Sequence, residues 1–146
     1  MLDTGGGILN LTRSSNDDDF IVLNPDTIWS LEYLETVKKM EKYYFEKKIE
    51  NLLMVVNKTR SFDKRFKGDF ELKENQLFKE IDNNYIYTGL QMINRNLFKN
   101  KKDTSFSISK IWDEQMNNKK LYGFESLNAF IHITDLNIYN QLTKGQ

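Results

Sequence analysis

Apolar positions along the 146-residue chain fall into two patterns, short unbroken runs and helical stripes. Phe20-Ile-Val-Leu-Asn24 and Leu52 to Val56 are unbroken runs of strand length, and such runs suit strands covered on both faces, as in a parallel sheet. The first ends in Asn-Pro-Asp. Pro25 has no N–H to give a ladder, so the strand stops there and delivers Asp26 at its carboxyl end. Leu34, Val37, Met40 and Tyr44 recur at helical spacing with Lys38, Lys39, Glu41 and Lys42 between them, which predicts an amphipathic helix over about 30–47. Ile108, Ile111, Trp112 and Met116 form a second stripe behind Ser105 or Ser107, either of which suits an N-cap, and Asp135 caps a last helix carrying Ile138 and Leu142.

The segments between are polar or rich in turn residues. Asp3-Thr-Gly-Gly-Gly7 predicts a permissive loop leading into Ile8-Leu-Asn-Leu11, the first turn of a helix. Residues 57–67 form a basic, irregular loop with Arg60, Lys64 and Arg65. Residues 68–72 and 76–81 flank Lys73-Glu-Asn75 as a hairpin with a three-residue connection. Residues 85–93 read as a strand interrupted at Thr88-Gly89, with further short strands at 121–124 and 130–133. Strands alternating with helices argue an α/β layer architecture with some antiparallel pairing in the middle. No internal repeat, low-complexity tract or linker divides the chain, so residues 1–146 are expected to form one domain.

Composition narrows the chemistry. With 21 Lys plus Arg against 21 Asp plus Glu the net charge is zero, which argues against a nucleic-acid or anionic-membrane role. The absence of Cys excludes disulfides, thiolate metal sites and cysteine nucleophiles, and a single His leaves only one candidate base for a triad. No apolar run approaches the ~20 residues that span a bilayer, and MLDTGGGILNL lacks the basic start of a signal peptide. A soluble cytoplasmic protein is the expectation. The Lys and Asn surplus, beside one Ala and one Pro, is what A- and T-rich codons give, so it does not mark a binding surface.

Taken singly, each candidate site residue has two readings. Asp26 at a strand end is a loop cap or a ligand. His132, inside Phe130-Ile-His-Ile133, is a hydrogen-bonded interior imidazole or a metal or catalytic side chain. Asp3 to Gly7 lacks both the P-loop ending and the dinucleotide fingerprint, and Trp29 and Trp112 have the apolar neighbours of core residues.

Order and spacing add a resemblance. Asp-Thr-Gly-Gly-Gly-Ile (3–8), Phe-Ile-Val-Leu-Asn-Pro-Asp-Thr-Ile-Trp (20–29), Gly-Asp-Phe (68–70), Tyr-Ile-Tyr-Thr-Gly-Leu-Gln (85–91), Phe-Ser-Ile-Ser-Lys-Ile-Trp-Asp (106–113) and Lys-Leu-Tyr-Gly (120–123) together resemble the sugar-1-phosphate nucleotidyltransferases. The closest likeness is to the N-acetylmuramate-1-phosphate uridylyltransferase and mannose-1-phosphate guanylyltransferase branch. Phe-Ile-His-Ile-Thr-Asp-Leu (130–136) falls where that branch carries Trp-x-His/Asp-Val-Gly-Thr-Pro, and the likeness covers about residues 3–142.

The resemblance implies a truncated Rossmann-like, glycosyltransferase-A-type fold with a mixed sheet and flanking helices. It implies a reaction in which a sugar 1-phosphate attacks the α-phosphorus of a nucleoside triphosphate and expels pyrophosphate, a matter of positioning and charge neutralisation. On this basis Asp26 would hold Mg²⁺ and His132 would stand where a second metal-binding side chain sits. Gly5 and Gly6 would let the backbone approach the nucleobase, and Gly68, Thr88 and Gly89 would line the sugar pocket. No single residue is assigned as catalytic.

The departures from the family pattern are specific. Its Gly-rich, Arg-containing phosphate loop and Lys-Pro segment have no counterpart here, Pro25 replaces a small Gly or Ser, and Thr134-Asp135-Leu136 replaces Gly-Thr-Pro. The expectation is therefore a C-terminal portion of a nucleotidyltransferase, inactive alone. The alternatives are the C-terminal half of a split enzyme completed in trans by a separately encoded N-terminal half, and a non-catalytic interaction module using an exposed sheet edge.

Overall fold

The computed structural model describes residues 3–102 and 105–144. Its elements run α1 (Thr4–Ser14), β1 (Asp19–Leu23), α2 (Tyr33–Glu46), β2 (Asn51–Asn57), β3 (Glu71–Lys73), β4 (Gln76–Phe78), β5 (Tyr85–Asn94), α3 (Ser109–Asn117), β6 (Tyr122–Ser126) and α4 (Leu136–Lys144). The strands form one mixed sheet in the order β1-β5-β2-β6-β4-β3. β2 and β6 pair in parallel, and the β1–β5, β2–β5, β3–β4 and β4–β6 pairs are antiparallel. This is the α/β, mixed-sheet architecture expected.

β2 is the spine of the sheet, and its residues Asn51 to Val56 are all buried. Leu52 and Met54 face α2, where they pack with Met40, Tyr44, Leu90 and Met92. Leu53 and Val55 face the opposite side with Phe70, Leu77 and Leu121, against Trp112 and Met116 of α3. Burial on both faces is why this strand is apolar without alternation. α1 and α3 close that second face over β1 and β5 through Ile8, Leu9, Phe20, Ile93, Phe106 and Ile111.

Five local expectations need correction. The glycines at 5–7 are not a loop: they lie inside α1, whose N-cap Asp3 accepts the Thr4 N–H at 2.7 Å. Glycine costs a helix about 1 kcal/mol against alanine. Here it permits a close approach, because a Cβ on Gly5 would stand 2.5 Å from the Phe106 ring and 2.6 Å from the Phe106 carbonyl oxygen. β1 is not a buried parallel strand but a half-exposed, antiparallel edge strand on β5.

The stripe of α2 starts at Tyr33 rather than Leu34, which is 53% exposed, because the Tyr33 hydroxyl is drawn inward to donate to the Ala129 carbonyl at 2.7 Å. The hairpin connection has two residues, not three. Lys73 pairs with Gln76, and Glu74 and Asn75 take the positive φ angles of a tight hairpin turn. Residues 130–133 make only isolated bridges, from Phe130 to Ser61 and from His132 to Thr27.

Candidate functional site

β5 carries an irregularity where Thr88-Gly89 interrupts its apolar run. Leu53 pairs with Gln91 but Val55 pairs with Tyr87, so β5 bulges between them. Gly89 takes φ +94°, a conformation open to glycine, and a Cβ there would stand 2.8 Å from Asn24 Cβ and 3.2 Å from Thr27 Oγ1. The buried Thr88 hydroxyl donates to the Met54 carbonyl at 3.0 Å, which keeps the bulge tied to β2. The displaced Thr88 carbonyl turns the other way and accepts the buried Thr27 hydroxyl at 2.8 Å.

The segment after β1 is thereby fastened to the sheet. Asn24 donates its N–H to the Gly89 carbonyl at 2.8 Å, and the Trp29 indole N–H reaches back to the Asn24 carbonyl at 3.1 Å, closing the turn that holds Pro25. Thr27 then forms an antiparallel bridge with His132, flanked by Ile28 N–H to Ile131 carbonyl at 2.9 Å and Ile133 N–H to Asp26 carbonyl at 2.8 Å. Asp26 Oδ1 lies 3.6 Å from His132 Nδ1, and Thr27 Oγ1 lies 3.4 Å from the same nitrogen. Phe130 stacks along the imidazole and Phe66 meets it edge-on, with centroids at 6.1 and 5.8 Å. The Asp26 side chain is half-exposed while the His132 ring is largely covered.

A second constellation borders this pair. Arg65 donates from Nε to Asp63 Oδ1 at 2.8 Å and from Nη2 to Asp63 Oδ2 at 2.7 Å, and its Nη2 also lies 2.8 Å from Asp135 Oδ2. Thr134 donates its hydroxyl to Asp63 Oδ2 at 3.0 Å. The guanidinium, together with the Thr134 hydroxyl, holds the buried Asp63 carboxyl far below the usual carboxylate range, and Asp135 is lowered as well, first by the Ile138 N–H that it caps. This clamp ties the 61–67 loop to the start of α4 and so holds the walls on either side of His132. Sequence gives Asp135 as a cap, Arg65 in a basic loop, Thr134 only as a departure from the family pattern and Thr27 only within the 20–29 run, and it gives no role to Asp63. The spacing Asp-x-Arg at 63–65 was the one available signal.

Beyond Phe66 the loop opens into a groove of about 750 Å³ lined by Lys58, Lys64, Arg65, Lys67 and Gly68, with Asp82 as the acid on its wall. Lys58 Nζ donates to the Asn83 carbonyl at 3.1 Å and Lys64 Nζ to the Thr59 carbonyl at 2.9 Å, so two cations are pre-positioned by backbone. Gly68 has φ +86° and faces the Asn83 backbone so closely that a Cβ cannot be placed there.

The site residues expected from sequence thus separate into groups. Asp26, His132, Thr88 and Gly89 come together, and Gly68 lines the adjoining groove. Gly5 and Gly6 are buried in α1 beside Phe106.

Among the described residues no cluster of three or more His, Asp or Glu side chains forms a protein-only metal cage. Two donors 3.6 Å apart can still share one hard cation, whose ligand distances are about 2.1 Å. A single carboxylate completed by phosphate oxygens and water is how Mg²⁺ is usually held, whereas an imidazole suits it less. The pair therefore fits a cation shared with a substrate. No helix among the described residues is long and apolar enough to cross a membrane.

No protein-family model and no curated protein matches this sequence. Solved structures match its fold throughout. HddC from Yersinia pseudotuberculosis, solved with GMP-PN, superimposes with a TM-score of 0.70 at 18% identity over 99% of this chain and 62% of its own. A glucose-1-phosphate thymidylyltransferase described from Bacillus anthracis gives 0.73 at 13% identity, covering 98% and 60%. A UDP-glucose pyrophosphorylase in complex with UDP-glucose gives 0.70 at 14% identity, covering 100% and 64%. The chain shares the fold of these proteins and spans less than two thirds of their length.

Proposed function

We propose that these residues form the acceptor-side portion of a sugar-1-phosphate nucleotidyltransferase, and that the portion is inactive by itself. In the transfer a phosphate oxygen of the sugar 1-phosphate bonds to the α-phosphorus of a nucleoside triphosphate as the bond to pyrophosphate breaks. The observation that carries this reading is the pairing of Asp26 with His132 beside a groove lined by Lys58, Lys64 and Lys67. The lysines attract and orient an anionic sugar phosphate. Gly68 lines the groove in which the sugar would sit, its missing side chain making room for the Asn83 backbone, and Thr88-Gly89 holds the Asp26 turn at a fixed distance from it. Asp26, with His132 beside it, would hold Mg²⁺. That ion, when bound, supplies charge neutralisation for the phosphates. Asp26 presents its carboxylate from a turn locked to β5 and to the His132 segment, so its position costs no reorganisation on binding. A nucleotide-binding portion is left to a further part of the fold.

The open edge of β1 favours a second reading, in which that further part is a separate N-terminal half and activity appears when the two associate. Both readings share one test. Calorimetry with glucose, mannose and N-acetylmuramate 1-phosphates, with and without Mg²⁺, should show Mg²⁺-dependent binding that Asp26→Asn weakens. The same preparation should release no pyrophosphate from UTP or GTP. Absence of Mg²⁺-dependent binding to every sugar phosphate overturns the acceptor assignment, and turnover by the chain alone overturns its incompleteness.

A further inference from the structure

The parallel strands β2 and β6 start side by side, each fed by the end of a helix, α2 and α3. Both helices stop in the same way. In α2 the Ile49 N–H bonds to the Tyr44 carbonyl at 3.0 Å and the Lys48 N–H to the Phe45 carbonyl at 3.2 Å. In α3 the Lys120 N–H bonds to the Gln115 carbonyl at 2.8 Å and the Lys119 N–H to the Met116 carbonyl at 2.9 Å. Each pair of bonds is a Schellman cap, whose turning residue takes the left-handed conformation that glycine adopts most readily. Here both turning residues are lysines, with φ +51° at Lys48 and +56° at Lys119. The residue after the turn is commonly apolar and packs on the last turn, as the buried Ile49 does. After Lys119 that place is taken by the exposed Lys120.

A pocket of about 330 Å³ lies between the two caps, at the small end of the range for ligand sites. Lys47, Lys48 and Lys120 line it, over Ile49 and Tyr122. Its one acid, Glu50, engages the Asn96 amide at 3.0 Å, and among the described residues no carboxylate pairs with any of the three lysines. A helix C-terminus favours a nearby cation in any case. That benefit is open to any position in the last turn and does not call for a lysine in a strained conformation. The inner wall is polar as well. Gln115 Oε1 is buried without a donor. Asn51, next to Glu50 and on the α3-facing side of β2 with Leu53, is fully buried with neither Oδ1 nor Nδ2 partnered. Buried polar atoms are nearly always hydrogen-bonded in folded proteins, so this corner asks for a ligand that carries hydroxyls beside its charge.

We propose that this pocket binds a small phosphorylated polyol, its phosphate held by Lys47, Lys48 and Lys120 and a hydroxyl donating to Gln115 Oε1. The site stands apart from the nucleotidyltransferase reading. The seven residues of β2, roughly 20 Å of strand, separate Glu50 from Lys58 of the groove beside His132.

The experiment follows backbone amide shifts by NMR while glycerol 3-phosphate, glucose 6-phosphate, inorganic phosphate or glucose is added at constant ionic strength. The expected result is that one or both sugar or glycerol phosphates move the amides of Lys48, Ile49, Lys119, Lys120 and Tyr122 and saturate near about 1 mM. Inorganic phosphate should bind about fivefold more weakly for want of the hydroxyl contact, and glucose should leave these amides unmoved. Lys120→Gln and Lys48→Gly should each weaken binding about tenfold. Glycine suits the Lys48 backbone, so that variant keeps the fold, with the β2–β5 ladder amides as the check. Gln115→Met should weaken the polyol phosphate alone and leave inorganic phosphate as it was. Lys39→Gln, on the exposed side of α2, should change nothing. No saturation at these amides by about 20 mM, or shifts confined to residues 58–68 of the groove, overturns the proposal. Inorganic phosphate binding as tightly as the polyol phosphates overturns the assigned ligand class, and a loss in Lys39→Gln equal to that in Lys120→Gln overturns the site by showing bulk charge alone.

Discussion

The Asp26 carboxylate and the His132 imidazole stand 3.6 Å apart because the backbones beside them are joined, Ile133 N–H to Asp26 carbonyl and Ile28 N–H to Ile131 carbonyl. The two side chains project from neighbouring positions of a two-bond antiparallel ladder, so their meeting is independent of any attraction between them.

If the pair holds a cation for phosphoryl transfer, removing the carboxylate charge while keeping its shape should be costly. Asp26→Asn is expected to lower the rate of pyrophosphate release by about 100-fold in a preparation completed with a nucleotide-binding portion, equivalent to about 3 kcal/mol of electrostatic stabilisation. His132→Gln should cost about tenfold, since oxygen rather than imidazole dominates Mg²⁺ binding. Steady-state rates at saturating Mg²⁺ test both, and equal losses would contradict the division of roles.

Two glycines in the first turn of α1, Gly5 and Gly7, should respond in opposite directions to the same substitution. Gly7→Ala meets nothing within 4 Å and should stabilise the protein by about 0.5–1 kcal/mol through helix propensity. Gly5→Ala must displace the Phe106 ring and backbone and should destabilise by about 1–3 kcal/mol. Urea unfolding of the two variants side by side is the measurement, and stabilisation by both would show that the Phe106 contact imposes nothing.

Thr27 should matter through its hydroxyl alone. Thr27→Val keeps the shape but leaves the Thr88 carbonyl without its partner and puts a methyl beside the His132 ring nitrogen, so stability should fall by about 1–2 kcal/mol. Thr27→Ser should recover most of the loss. A Val variant as stable as the parent would mean that the bulge holds the Asp26 turn without this bond.

The Arg65 clamp sets an acid-side dependence of stability. Arg65 and Thr134 depress the Asp63 carboxyl in the folded state, while an unfolded aspartate titrates near 3.9. The unfolded chain therefore takes up the proton first as pH falls. The stabilisation is fully present above about pH 4 and is lost between there and the depressed folded value. Asp135, also depressed, acts with the same sign. Asp63→Asn should flatten the fall in melting temperature between about pH 4 and pH 2 and lower it by about 3–6 °C at pH 7. An unchanged acid slope would show that the clamp contributes no linked protonation.

What the sequence determined by itself is whatever depends on neighbours a few positions away. The Val37-Met40-Tyr44 stripe, the all-apolar β2, the turn at Glu74-Asn75, the cap at Asp135 and the stop at Pro25 are local, because helical periodicity, two-sided burial and turn chemistry are each set within one or two turns of chain. The order of motifs also carried the fold, since it preserves the sequence of strands and connections. Tertiary structure decided the rest. Gly5 is helical because Phe106, a hundred positions on, needs its missing side chain, and β1 is an edge strand because β5 takes one side of it while no described strand takes the other. Asp26 meets His132, and Arg65 joins Asp63 to Asp135, only after the sheet has brought the ends of β1, β2 and β5 together. Contacts between distant segments are chosen by the packing of the whole sheet, and no local pattern encodes a partner that packing has yet to supply.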